Sequence, residues 1–97
     1  MKASIEGNLK GRICLVTGAS TGIGKEIARG LAKLGGTVVL AVRSAERGEA
    51  AQKEIVASTG NSDVQVMLVD LASQRSIRSF ASEFDRRYDK LHILVNN

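Results

Sequence analysis

The sequence predicts an α/β protein built on a parallel sheet, from three observations. Four short apolar segments recur, at residues 13–17, 38–42, 64–69 and 91–95. Their apolarity is continuous rather than alternating, the habit of strands buried on both faces. The stretches between them place apolar residues at helical spacing, and strand and helix alternate three times. That alternation calls for parallel strands joined by right-handed crossovers.

The first strand, Ile-Cys-Leu-Val-Thr at residues 13–17, runs into a glycine-patterned turn. A helix follows from near Ile23, with Ile27, Leu31 and Leu34 expected inward. It should stop at Gly35-Gly36, where a left-handed cap needs glycine. Gly30 inside this helix costs roughly 1 kcal/mol relative to alanine, and a close approach of helix to sheet is the expected reason. After the second strand, Ser44 can cap a helix through about Ser58 that carries Ala51 and Ile55 inward and closes at Gly60-Asn61. After the third, Ser73 can cap a helix whose Ile77, Phe80, Ala81, Phe84 and Tyr88 form one stripe.

Ninety-seven residues make one domain or part of one. A hydrophobic fraction of 43%, a charged fraction of 25%, two phenylalanines, one tyrosine and no proline describe an ordered, small-aliphatic chain. The net charge of +4 is spread along the sequence, including Lys25, Arg29 and Lys33 at i, i+4 spacing. Scattered charge reads as solvated helix faces rather than a nucleic-acid footprint. The lone Cys14 lies in the first apolar run and reads as a buried, inert thiol in a reducing compartment. Residues 1–9 form an N-terminal arm without the apolar core of a signal peptide. No run approaches the ~18 apolar residues needed to span a bilayer. The expectation is a cytoplasmic chain with no membrane span.

Residues 17–24 read Thr-Gly-Ala-Ser-Thr-Gly-Ile-Gly. Gly18 lets the chain turn sharply out of the strand. Gly22 removes a side chain where backbone must approach a pyrophosphate, and Gly24 lets the helix pack closely. First-turn N–H groups and the helix dipole then face the phosphates. The spacing Gly-x-x-x-Gly-x-Gly has one more residue in the turn than Gly-x-Gly-x-x-Gly, and it is not a Walker A loop, because Lys25 follows the last glycine. Arg43 ends the second strand with no acid beside it. An acid there would bond a free ribose 2′-hydroxyl, whereas an arginine accommodates a 2′-phosphate, so NADP(H) is favoured over NAD(H). The alternative is a solvated arginine at a strand end.

This turn, Asp70-Leu71-Ala72-Ser73 after the third strand, and Leu94-Val95-Asn96-Asn97 at the fourth resemble the N-terminal half of a short-chain dehydrogenase/reductase. Val42-Arg43-Ser44 with Glu46-Arg47-Gly48 and the Asp70-Leu71-Ala72-Ser73 stretch look most like the retinol-dehydrogenase-like branch. The resemblance implies a partial doubly wound, Rossmann-type sheet in strand order 3-2-1-4. The first two helices would lie on one face and the third alone on the other. It makes Gly18, Ser20, Thr21, Gly22, Ile23 and Gly24 the phosphate-binding turn and sets Asp70 and Leu71 beside the adenine. Asn96 and Asn97 would hold the central sheet and touch the ribose side of the cofactor. Asp70 also reads as a carboxylate capping a turn, and the asparagines as polar residues ending a strand.

The resemblance also implies a catalytic Ser, Tyr and Lys beyond the asparagine pair, so residues 1–97 are expected to be an incomplete binding domain lacking the catalytic half. Tyr88 is followed four positions later by His92 rather than Lys, and both read as structural. No metal site is expected. The parent reaction implied is hydride transfer between a nicotinamide and a small carbonyl or alcohol substrate. The rival reading is a noncatalytic nucleotide-binding or interaction module completed by a partner chain. The fourth strand would be an apolar edge, for which pairing with a second copy is one rescue.

Overall fold

The computed structural model describes Leu9 to Asn97, so the expected N-terminal arm, apart from Leu9, lies outside the described residues. The elements run β1 (Ile13–Thr17), α1 (Gly22–Lys33), β2 (Thr37–Val42), α2 (Ala45–Thr59), β3 (Val64–Leu68), α3 (Gln74–Arg87) and β4 (Ile93–Val95). The strands form one parallel sheet in the order β3-β2-β1-β4, as expected.

Period-two alternation sorts the strand residues between two cores. Cys14, Val16, Val38, Leu40, Val42 and Val64 pack beneath α1 and α2. Leu15, Val39, Ala41, Met67 and Val69 pack against Phe84, Phe80 and Tyr88 of α3 and its end. Two helices therefore cover one face and a single helix the other. A helix is roughly 10 Å wide and strands lie about 4.8 Å apart, so one helix shelters about two strands. Leu94 of β4, paired in register with Leu15, is consequently 57% exposed.

The helix ends follow local chemistry. Ser44 and Ser73 accept hydrogen bonds from the N–H groups of Arg47 and Ser76, capping α2 and α3. Gly60, at φ 77°, closes α2 in the left-handed conformation. Gly35, at φ 95°, follows α1 as expected.

Three expectations need correction. The buried positions of α1 are Gly24, Ala28 and Ala32, with Ile27, Leu31 and Leu34 only half-buried beside them. Small residues let the helix axis come near the sheet, which rotates the branched chains to its flanks. In α3, Ile77 and Ala81 are exposed, because the helix leans its aromatic ladder onto β1–β3 and leaves β4 bare. The ladder is built from Phe80, Phe84 and Tyr88, with centroids 6.2 and 4.9 Å apart. Gly30 is exposed, and a Cβ there would meet nothing within 4 Å. Close helix-to-sheet approach belongs instead to Gly48.

Lys25 and Arg29 are more than solvated charges. Lys25 Nζ lies 3.0 Å from Glu54 Oε1, and Arg29 reaches both Glu54, at 3.2 Å, and Glu26, at 3.1 Å, tying α1 to α2. Hydrogen bonds from Lys25 and Arg29 hold the Glu54 carboxyl below its usual range, and that from Arg29 does the same for Glu26. Asn61 is a second tie, its Nδ2 donating to the carbonyls of Ala32 and Gly36.

At the start of β4, His92 replaces a strand residue. Its backbone N–H donates to Ile13 O, and its Nδ1 accepts from Ile13 N–H, both at 2.9 Å. The side chain thus supplies an acceptor that the ladder would otherwise provide. No helix among the described residues is long and apolar enough to cross a membrane.

Candidate functional site

The site lies where β1, β2 and β3 end, the edge at which open α/β sheets bind ligands. Gly18 and Gly22 have φ of 60° and 61°, a region that favours glycine. A Cβ on Gly22 would meet nothing within 4 Å, so its outer surface faces open space. Gly24 differs: it is buried, and a Cβ there would overlap the Gly18 carbonyl oxygen and lie 2.6 Å from Asn97 Nδ2. Its lack of a side chain serves the turn's own closure, a tighter constraint than packing on the sheet.

Thr21 precedes α1 in extended conformation and gives no side-chain bond to the first turn, which also contains no acid. Ser44 and Ser73 do cap their helices, so α1 differs in keeping its leading donors free of side-chain partners. Unsatisfied first-turn N–H groups at the positive end of a helix dipole suit an anion.

Beside this turn a cleft of about 310 Å³ is lined by Gly18, Ser20, Arg43, Asp70 and Leu71, with Ala41, Val42, Val69 and Ala72. Five of the residues singled out in the sequence are therefore brought together. Leu71 is 56% exposed and Val69 nearly buried, giving the cleft an apolar wall. Among the described residues no carboxylate pairs with Arg43. Asp70 does cap the turn, its Oδ1 accepting from Ala72 N–H at 3.0 Å, while Ser76 Oγ accepts the Asp70 N–H at 2.8 Å.

The remaining residues stand around the cleft rather than in it. Gly22 and Ile23 border a shallow groove along α1, and Ile23 is 73% exposed. Asn96 and Asn97 end β4 against the turn. Thr17 Oγ1 donates to Asn96 Oδ1 at 3.3 Å and accepts from Asn97 N–H at 3.0 Å, and Asn97 Nδ2 donates to Gly18 O at 3.2 Å. Sequence reasoning missed Thr17 as the hub of this clasp and Ala19 as its fully buried anchor. The threonine at a strand end was the available signal for the former.

Tyr88 and His92 lie at the opposite end of the sheet, near Ile13. Burial pushes the Tyr88 phenol up, and its ring packs against Phe84 at a tilt of 44°. Burial likewise raises the Cys14 thiol, consistent with an inert core residue. Among the described residues no group of three or more potential ligands could hold a metal.

An open-faced glycine turn, an apolar wall, and helix donors and a guanidinium that lack side-chain partners among the described residues suit an aromatic ring carrying phosphates. Comparison with known proteins agrees with that chemistry. The short chain dehydrogenase family model matches residues 12–97. The chain is 52% identical over 89 residues to retinol dehydrogenase 11 of Mus musculus, covering 92% of this chain and 28% of that protein. It is 50% identical over 91 residues to dehydrogenase/reductase SDR family member 13 of Homo sapiens, covering 94% and 24%. Among solved structures, the RhlG/NADP active-site complex of Pseudomonas aeruginosa matches with a TM-score of 0.86 and 37% identity, over 100% of this chain and 37% of that one. A short chain dehydrogenase of Shigella flexneri complexed with NADP matches at 0.82 and 34% identity, over 92% and 38%. The chain thus spans roughly a quarter to two-fifths of the proteins it resembles, and it belongs to the short-chain dehydrogenase/reductase family.

Proposed function

We propose that this chain is the NADP(H)-binding part of a retinol-dehydrogenase-like short-chain oxidoreductase, and that residues 1–97 form one incomplete binding domain. Members of the family bind a nicotinamide dinucleotide and small-molecule substrates. The observation that carries the NADP(H) preference is Arg43, which rims the cleft without a carboxylate partner among the described residues. Two similar structures that are complexes with NADP support the same preference.

In this reading the backbone of Gly18, Ser20, Thr21, Gly22, Ile23 and Gly24 holds the pyrophosphate, and Arg43 grips the 2′-phosphate. Asp70 and Leu71 flank the adenine, and Asn96 and Asn97 stand on the ribose side. A bound nicotinamide would donate hydride to a carbonyl substrate or accept it from an alcohol. The chain's own contribution is binding and orientation. Its single tyrosine is packed against the α3 aromatic ladder at the far end of the sheet, so the 97 residues alone bind without turnover.

Calorimetry with NADPH and NADH tests the binding claim: NADPH should bind more tightly, and equal affinities would remove the Arg43 argument. Consumption of NADPH with an aldehyde panel at ordinary enzyme rates would overturn the noncatalytic reading. A module completed by a partner chain is the second reading, favoured by the exposure of Leu94 on the β4 edge. A size measurement showing a stable oligomer would support it.

A further inference from the structure

We infer that Ser76 is a positioning residue for the adenine side of the cleft: its hydroxyl holds the backbone of Asp70, and with it the carboxylate that borders the cleft. This rests on the cleft being the dinucleotide site. Ser76 stands at the third position of α3, where its N–H donates to the capping Ser73 Oγ at 3.1 Å. In a reciprocal cap the side chain at this position returns a bond to the cap residue's own N–H. Here the Ser73 N–H donates to Asp70 O instead, at 3.0 Å, and Ser76 Oγ reaches past the cap to accept the Asp70 N–H at 2.8 Å.

Asp70 is therefore held at three atoms. The start of α3 takes its N–H through Ser76 and its carbonyl through Ser73, while Oδ1 accepts from Ala72 N–H at 3.0 Å. Oδ2 has no hydrogen-bond partner among the described residues, and Asp70 lines the cleft with Arg43 and Leu71. A carboxylate with one oxygen fixed and the other open is an acceptor of set direction. Ser76 does not itself line the cleft. It borders a separate groove of about 370 Å³ lined by β3 and α3, so it acts through Asp70 rather than by touching the ligand.

The test uses the 97-residue chain with Ser76→Ala, which removes the acceptor, and Ser76→Thr, which keeps it and has room for its added methyl in the bordering groove. In ligand-free Ser76→Ala, amide NMR resonances of Asp70 and Ala72 should move, while those of Arg47 and Gly60, at the two ends of α2, should not. By calorimetry, Ser76→Ala should weaken NADPH and adenosine 2′-phosphate by the same factor, about three- to tenfold, the scale of one hydrogen bond. The two ligands share the adenosine half, where the loss is placed. Ser76→Thr should bind both as the wild type does. A hydroxyl that only steadied the helix would change stability and leave both affinities alone. An unmoved Asp70 amide, unchanged affinities, a loss confined to NADPH, or failure of Ser76→Thr to restore binding would each overturn the inference. If Ser76→Ala fails to fold, Ser76→Cys keeps the shape with a weaker acceptor and is read identically. If the wild-type chain binds neither ligand, the cofactor reading fails, and the ligand-free Asp70 and Ala72 resonances still decide whether Ser76 holds Asp70.

Discussion

Gly48 of α2 lies directly over Val42 of β2, so near that a Cβ on Gly48 would stand 2.6 Å from Val42 Cγ2 and 2.8 Å from Val66 Cγ1. Valine is stiff at χ1 and cannot swing away cheaply. Gly48→Ala should therefore overpack this contact at about 1–3 kcal/mol, outweighing the ~1 kcal/mol gain in helix propensity. Gly30→Ala, in open space on an exposed helix face, should gain that ~1 kcal/mol outright. Urea denaturation of the two variants should move the midpoint in opposite directions.

Arg43 offers a test of cofactor choice. Arg43→Ala should weaken NADPH by about 10- to 100-fold, the range for charge-assisted hydrogen bonds, and leave NADH within about twofold. Equal losses would assign Arg43 to the solvated strand end. Folding should be unaffected, since the side chain is exposed and has no ion pair among the described residues.

The ion pairs within α1 and from α1 to α2 predict a pH dependence. Glu54 and Glu26 have carboxyls held below their ordinary value of 4.5 by bonds from Lys25 and Arg29. A lowered folded-state value means the unfolded chain binds protons first as pH falls. The stabilisation is thus present above the unfolded value and is lost as pH drops through the folded one. Glu54→Gln should be less stable than wild type near neutral pH, and the gap should narrow progressively as pH falls below 4.5 and shrink in high salt. A gap independent of pH would assign the effect to packing.

Leu94 is the measure of the bare face. Leu94→Lys should reduce self-association in light scattering while changing stability by no more than about 0.5 kcal/mol, because the side chain is 57% exposed. A large loss of stability would mean that Leu94 packs on something within the folded chain.

The fold was legible because continuous apolar runs, glycine stops and serine caps all point to the same elements. Strand order was legible through the family resemblance of the glycine turn and the asparagine pair. The face each helix buries was less so: in α1, hydrophobic residues mark a stripe, yet the buried line is Gly24, Ala28 and Ala32. Periodicity weighs side-chain size, whereas close packing on a sheet rewards its absence. The same limit explains the two helical glycines, since nothing local distinguishes Gly30 from Gly48; only the neighbouring strands do. At the candidate site the residues that line the cleft were readable as types, but the clasp among Thr17, Gly18 and Asn97 joins positions about eighty residues apart and exists only in three dimensions.

Cys14 lies in β1 between Val38 and Ile93, fully buried, and it is the chain's single thiol. A thiol reagent can reach it only when the helical layer of α1 and α2 lifts from the sheet, so labelling is a clock for opening of that face. A ligand that binds only the closed form must slow that clock in proportion to its occupancy, so a dinucleotide can be detected from the far side of the turn, with neither activity nor a chromophore required.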